Sequence, residues 1–427
     1  MRKRLYPLFL ALIIPAIGSQ AWAAKGAQFP KNPTFETRGS LLPFAIEGLT
    51  GDATGNLYTT GRQPDTTKKC PVWRISPNGT KVTVGFIQNS PACNPSGIAF
   101  DAIGDLYIAD AASGGIVWQV TPDPTGCAPD DSSDPACSAI PNGTAFATGV
   151  PGTNGLAFDR HGNLWTGDGT TGQGRVWKIS GPGANCAPAS PVNCEEVFRI
   201  QPMRNSTALG GEVAGDGVGR QARTFPPGTL TVTVPASASP TVVTPAGGQD
   251  LVANGVAFNR QGTLFVVDTA RGAIWKIEFD SKGNLRSPTG CDTTFTENTL
   301  CLSNILVAHP LLEGADGFVL DQSGSFWVDA NERNAVVVFA RNGEIIEIFR
   351  NPPDSAGLRN GGPLEFPTSP FISGKVFCTS NSDGNRRDNS PNSAGEINSG
   401  GPVGARGKIS CMNEELKIPG MPLPVNK

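Results

Sequence analysis

Short apolar runs recur along the chain, each interrupted by a polar turn of fixed spacing and resumed by a second apolar run. The clearest copies read PSGIAFDAIGDLYIAD from Pro95, TNGLAFDRHGNLWTGD from Thr153, ANGVAFNRQGTLFVVD from Ala253 and ADGFVLDQSGSFWVDA from Ala315. A further copy, IEGLTGDATGNLYTTG from Ile46, keeps the same frame. Each predicts a strand, a turn of the D-x-x-G type and a second strand carrying an aromatic residue. A third strand follows as PVWRIS at Pro71, GIVWQV at Gly115, RVWKIS at Arg175, AIWKIE at Ala273 and AVVVFA at Ala335. A fourth follows in most copies, as in VTVGFI at Val82 and VFRI at Val197. A lone four-stranded sheet cannot bury both its faces, so repeated ones must stack on their neighbours, which is the logic of a propeller blade. A degenerate sixth copy runs from Pro367 to GKISCM at Gly407. The sequence therefore predicts an all-β fold, a six-bladed β-propeller of four-stranded antiparallel blades over residues 30–427. The segment Thr34 to Gly39, where a fourth strand would precede the first repeat, is expected to pair into blade six and close the ring, leaving no exposed sheet edge.

Composition agrees with strands and tight turns: 53 glycines and 37 prolines stand in 427 residues, and charged residues are only 17%. The first residues change the picture of where the chain works. Met1 to Arg4 is basic, Leu5 to Ile17 is apolar but broken by Pro7 and Pro15, and Ala21-Trp22-Ala23 is a small-residue processing pattern. Residues 1–23 thus read as a secretory signal peptide, and a periplasmic or secreted mature protein is expected, with no membrane attachment after cleavage. The formal charge of -3 and the lack of a basic cluster beyond Arg4 argue against a nucleic-acid partner. A monomer acting on a small-molecule substrate is expected. Ten cysteines fall into sequential couples, 70 with 93, 127 with 137, 186 with 194, 291 with 301 and 378 with 411, each bracketing one loop or hairpin. In an exported chain such even, local couples predict disulfides.

In a propeller the innermost strand of each blade lines the channel, so the residue opening that strand comes nearest the axis. In the repeat frame those residues are Glu47, Ser96, Asn154, Asn254, Asp316 and Ser369, the first five each followed by glycine. Glu, Asn, Asn and Asp at one framed position are hard to explain by packing, because converging carboxylates and amides repel unless a cation sits among them. Oxygen-only donors suit one divalent cation, calcium first, with magnesium, manganese or zinc as alternatives; zinc more often recruits His or Cys, which the ring lacks. The competing reading is a hydrated polar channel without metal. Trp73, Trp118, Trp177 and Trp275 are expected to pack between blades, and Asp110, Asp168 and Asp268 to bond turn backbone.

The ordered series E-G, N-G, N-G, D-G within six repeats resembles the senescence marker protein, gluconolactonase and luciferin-regenerating-enzyme group, the regucalcin-like propellers. That resemblance implies that Glu47, Asn254 and Asp316 hold the cation and that Asn154 contacts water or substrate. It implies an exported metal-dependent hydrolase of a lactone or related ester, with Asp316 as both ligand and catalytic base. The physical logic is that a cation polarises the carbonyl while a nearby carboxylate takes a proton from water. Sugar-lactone members of the group place Arg two residues before the third-blade Asn, where this chain has Gly152, and their Asn-Asp-Gly is here Asn154-Gly155-Leu156; both departures argue against an aldonolactone substrate. His309, seven residues before Asp316 in the loop entering blade five, is a further substrate-binding candidate. His161 lies in a turn at the opposite end and is given no role. The insertion 203–250 between blades three and four, with LTVTV at Leu230 and TVVT at Thr241 as candidate hairpin strands, enters at the channel mouth. The alternative function is a non-enzymatic ligand-binding propeller with a structural calcium ion. A nucleotide fingerprint for redox chemistry is missing.

Overall fold

The computed structural model describes residues 29–31, 33–63, 65–88, 92–201, 253–269, 271–293, 295–312, 314–331, 334–350, 363–382 and 407–422, with the backbone of 222–223 and 232–233. Residues 1–23, where a signal peptide is expected, and most of the 203–250 insertion lie outside them. Within the insertion, Ala222–Arg223 pairs antiparallel with Val232–Thr233. The strand expected at LTVTV is therefore paired with a partner upstream of it, and the TVVT piece lies outside the described residues.

Six sheets follow one another in chain order. After β1 (Phe35–Ser40), blade one comprises β2 (Ala45–Ile46), β3 (Thr50–Gly51), β4 (Leu57–Arg62), β5 (Cys70–Ile75) and β6 (Lys81–Ile87). Blade two comprises β7 (Pro95–Phe100), β8 (Leu106–Asp110), β9 (Ile116–Val120) and β10 (Thr144–Thr148). Blade three comprises β11 (Thr153–Phe158), β12 (Leu164–Asp168) and β13 (Arg175–Ile179), then β14 (Ala184–Asn185), which pairs parallel onto β10, and β15 (Cys194–Arg199). After β16 (Ala222–Arg223) and β17 (Val232–Thr233), blade four holds β18 (Ala253–Phe258), β19 (Leu264–Asp268), β20 (Ala273–Ile277) and β21 (Ile305–Ala308). Blade five holds β22 (Ala315–Leu320), β23 (Phe326–Ala330), β24 (Ala335–Phe339) and β25 (Ile345–Arg350), and blade six β26 (Pro367–Ser373), β27 (Val376–Asn381) and β28 (Lys408–Met412). The outermost strand of blade six is β1, antiparallel to β28, so the two ends of the repeat array are joined as the sequence predicts.

The D-x-x-G turns explain the hairpins. Asp101 Oδ1 accepts from the backbone NH groups of Ile103, Gly104 and Asp105, and Gly104 takes the positive φ of 97° that the turn requires. The aspartates ending second strands do what was expected: Asp110 accepts from the NH groups of Asn94 and Ala112 and from Trp118 Nε1, and Asp268 from the Arg271 NH and Trp275 Nε1. The tryptophans are buried between blades, Trp73 and Trp275 completely. All five cysteine couples are bonded in the predicted order, and no cysteine is free. Such a set is compatible with an extracytoplasmic protein. Among the described residues no helix is long and apolar enough to cross a membrane.

Candidate functional site: the axial ring

The ring residues of blades two to five stand in β-bulges. The register shifts between Pro95 and Ile98, Thr153 and Leu156, Ala253 and Val256, and Ala315 and Phe318, so the ring residue and its glycine fill the irregular step. In blade one the inner strand is broken at the same place, between β2 and β3. A bulge re-aims one side chain without ending the strand, which sets these residues apart from the regular alternation of their strands. The glycines make the crowding tolerable. A Cβ at Gly155 would lie 2.6 Å from Asn254 O, and one at Gly255 would lie 2.7 Å from Asp316 O; Gly48 and Gly97 abut Ser96 O and Asn154 O in the same way. Each blade thus presses its ring glycine against the ring carbonyl of the next. Gly317 abuts Thr368 O, and Thr368 Oγ1 in turn donates to Glu47 O at 2.8 Å, which completes the circle.

This geometry corrects one assignment. Pro367 pairs with Asn381 as Pro95 pairs with Asp110, so Thr368 holds the ring position and Ser369 takes the slot that glycine fills elsewhere. The first hairpin of blade six is one residue shorter than the others, and its sequence lacks the E/N/D-G marker that would fix the frame.

Glu47, Asn154, Asn254 and Asp316 all sit at the opening of inner strands, and the last three are 7%, 2% and 5% exposed. Glu47 and Asn154 meet directly, Asn154 Nδ2 donating to Glu47 Oε1 at 3.2 Å. A second ring, unseen in the sequence reading, holds the first. Fifteen residues after a ring residue, Arg62 donates to Glu47 Oε2, Thr269 Oγ1 accepts from Asn254 Nδ2 at 3.1 Å, and Asn331 Nδ2 donates to Asp316 Oδ2 at 2.7 Å. In blade three the same offset falls on Gly169, whose missing Cβ leaves room for the Asn154 amide. The constant offset was present in the repeat frame, but Arg, Gly, Thr and Asn share no chemistry by which pattern reading would join them.

His309 lies at the ring end but outward, after β21. Its NH donates to Gly272 O at 3.0 Å, and its Nδ1 accepts from Leu311 NH at 3.1 Å, which makes Nε2 the protonated nitrogen of the neutral ring. His161 is exposed in the turn at the far end. Gly152 has φ 72°, and a Cβ there would run into the Asp168 carboxylate, so no side chain can replace the arginine missing from this position. The chain leaves blade three at Gln201 and re-enters at Ala253, so the insertion is attached at the ring end. At the opposite end, the far halves of the inner strands, including Phe100, Phe158, Phe258 and Phe318, line a cavity of about 950 Å³.

The donor chemistry fits a hard divalent cation. Among the described residues no three His, Cys, Asp or Glu side chains cluster, so a cation here would depend on amide oxygens beside Glu47 and Asp316. Thr269 anchors the nitrogen of Asn254, which commits its Oδ1 to the acceptor role. Asn331 Oδ1 is buried with no hydrogen-bond partner among the described residues, a further oxygen beside Asp316 without a donor.

A family model described as an SMP-30/gluconolactonase/LRE-like region matches residues 219–357. No curated protein matches the sequence. Among solved structures, the chain is similar to a calcium-binding protein, regucalcin, from Agrobacterium tumefaciens str. C58, at 14% identity over 94% of this chain and 99% of that one, TM-score 0.51. A luciferin-regenerating enzyme aligns at 14% identity over 93% and 100% of the two chains, TM-score 0.47. A PQQ-bound aldose sugar dehydrogenase from Streptomyces coelicolor aligns at 12% over 90% and 99%, TM-score 0.49. The family model takes in the N-G and D-G members of the series at Asn254 and Asp316, and the regucalcin likeness bears out the propeller fold.

Proposed function

We propose that the protein is an exported, monomeric, metal-dependent hydrolase of a lactone or related ester, with Glu47, Asn254 and Asp316 holding one divalent cation, calcium first. The observation that carries this reading is a repeated hold on the ring: the oxygen-bearing side chains that open the inner strands of blades one, four and five are each hydrogen-bonded by a side chain fifteen residues on. A cation bound there supplies Lewis-acid polarisation of the scissile carbonyl. The protein's own residues do the rest. Asp316 takes the proton from the attacking water, and Asn331 fixes which carboxylate oxygen faces inward by donating to Oδ2. Asn154 Nδ2 stands beside Glu47 as a donor for a substrate oxygen, and His309 is a further substrate contact at the rim. Deep burial of Asn254 and Asp316 favours a second reading, a ligand-binding propeller in which calcium is structural.

A panel of lactones and aryl esters, assayed with and without chelator, separates the two. Hydrolysis lost with the metal supports the enzyme; a chelator that lowers the melting temperature while no member of the panel is cleaved supports the binding protein. Asp316→Asn keeps an oxygen donor and nearly the same shape while removing the charge and the base. Retained calcium with at least a hundredfold fall in kcat is expected; full activity in this variant would refute the mechanism.

A further inference from the structure

Arg62 is a cationic side chain that touches the axial ring, and its setting is unusual. Its Nη2 donates to Glu47 Oε2, while its Nε is buried with no hydrogen-bond partner. The other carboxylate oxygen of Glu47 is taken by Asn154. Both oxygens of the blade-one donor are therefore occupied by protein. The pair is asymmetric in its access to solvent: the Glu47 side chain is 13% exposed and that of Arg62 is 35% exposed. Arg62 thus has an outward path, and a guanidinium with one NH left unsatisfied loses less on leaving than one bonded on every side.

We propose that Arg62 serves as a built-in counter-cation that holds Glu47 until a divalent ion takes it, and that the displaced guanidinium then receives a carboxylate on the substrate. The inference rests on the axial-cation reading and names the substrate class it implies, a lactone or ester carrying a carboxylate. Charge supports it. Glu47 and Asp316 balance a divalent cation by themselves, so the loaded site with Arg62 beside it carries one positive charge more than its carboxylates. A displaced, partly exposed guanidinium beside that site is open to an anionic partner. Arginine meets carboxylate through two parallel NH donors, and the Nε left idle in the closed pair is one of the nitrogens such a fork uses. Among blades one to five this is the one fifteen-residue offset that carries charge; Ala111, Gly169, Thr269 and Asn331 are neutral. With Gly152 unable to bear a side chain, Arg62 supplies the mouth with a guanidinium from blade one.

Two titrations test this. Calcium binding is measured by calorimetry on the wild type, Arg62→Gln, Arg62→Lys and Asn254→Ala, each first checked for native melting. Removing the competing charge is expected to tighten calcium at least tenfold in Arg62→Gln, with Arg62→Lys close to wild type because its charge remains. Phenylacetate, the carboxylate probe, is expected to bind the wild type only with calcium present, at least tenfold more weakly in Arg62→Gln, while phenylacetamide does not bind. Calcium affinity unchanged or weakened in Arg62→Gln, or equal binding of the neutral amide, overturns the proposal. If Asn254→Ala loses calcium and Arg62→Gln does not tighten it, the inference fails and the axial site stands. If the wild type takes up no calcium, or Asn254→Ala binds it as well as the wild type, the axial reading itself falls and the inference with it.

Discussion

Gly155→Ala places one methyl group where three backbone atoms of blade four already stand: its Cβ would lie 2.6 Å from Asn254 O, 2.8 Å from Gly255 Cα and 2.8 Å from Val256 N. A carbon-to-oxygen contact relaxes near about 3.3 Å, so blades three and four must separate locally by roughly 0.7 Å. None of the obstructing atoms belongs to a side chain that could rotate away. Reducing the freedom of the unfolded chain gives back only about 0.4–1 kcal/mol, whereas overpacking a rigid site costs about 1–3 kcal/mol or more. A net loss of about 2 kcal/mol is expected. Because the displaced carbonyl belongs to Asn254, and metal sites tolerate only about 0.2 Å of ligand error, cation affinity should fall with stability. Gly181→Ala is the control, since nothing lies within 4 Å of a Cβ there; it should be neutral or slightly stabilising. Guanidinium unfolding of both variants with disulfides intact measures the difference. Equal midpoints for the two variants would refute the claim that the ring glycines are a steric requirement of the closed axis.

Asp329 is buried between blades five and six, and burial holds its carboxyl well above the ordinary range despite the hydrogen bond from Thr379 Oγ1. The folded state therefore keeps a proton that the unfolded chain releases above about pH 4, so this group's contribution to stability is fully present below that pH and falls by about 1.4 kcal/mol per unit as pH rises toward the folded-state value. Asp329→Asn should flatten that slope and raise the melting temperature at pH 7 but not at pH 3; identical pH profiles would show that the carboxyl is not the cause. Among the disulfides, the bond from Cys378 to Cys411 closes 33 residues and that from Cys186 to Cys194 only 8. Loop entropy then gives about 4 and about 2.5 kcal/mol for their removal, an order that paired Cys→Ser variants and thermal melts can reverse or uphold.

What the sequence made legible and what it hid have the same physical origin. Strand and turn chemistry repeats because every blade solves the same packing problem, so IAFDAIGDLYIAD and its copies reveal the blades, the D-x-x-G turns and the partners of Asp110 and Asp268. The closing strand was legible for the same reason, since blade six lacked a fourth strand and Phe35–Ser40 was spare. The ring could be located because one framed position varied in chemistry where its neighbours did not. Blade six escaped by one residue because its shortened hairpin moved the frame, and only the pairing of Pro367 with Asn381 restores it to Thr368. The second ring was hidden by the opposite logic. Arg62, Thr269 and Asn331 each answer to the particular residue they hold, so the set has no common chemistry and no alternation to betray it. A functional centre on a repeat fold is the place where the repeat is broken, and the breaks become a site only when backbone pairing brings them to one level. That is also why Arg62, the strongest departure from the repeat at its level, is the residue on which the substrate question turns.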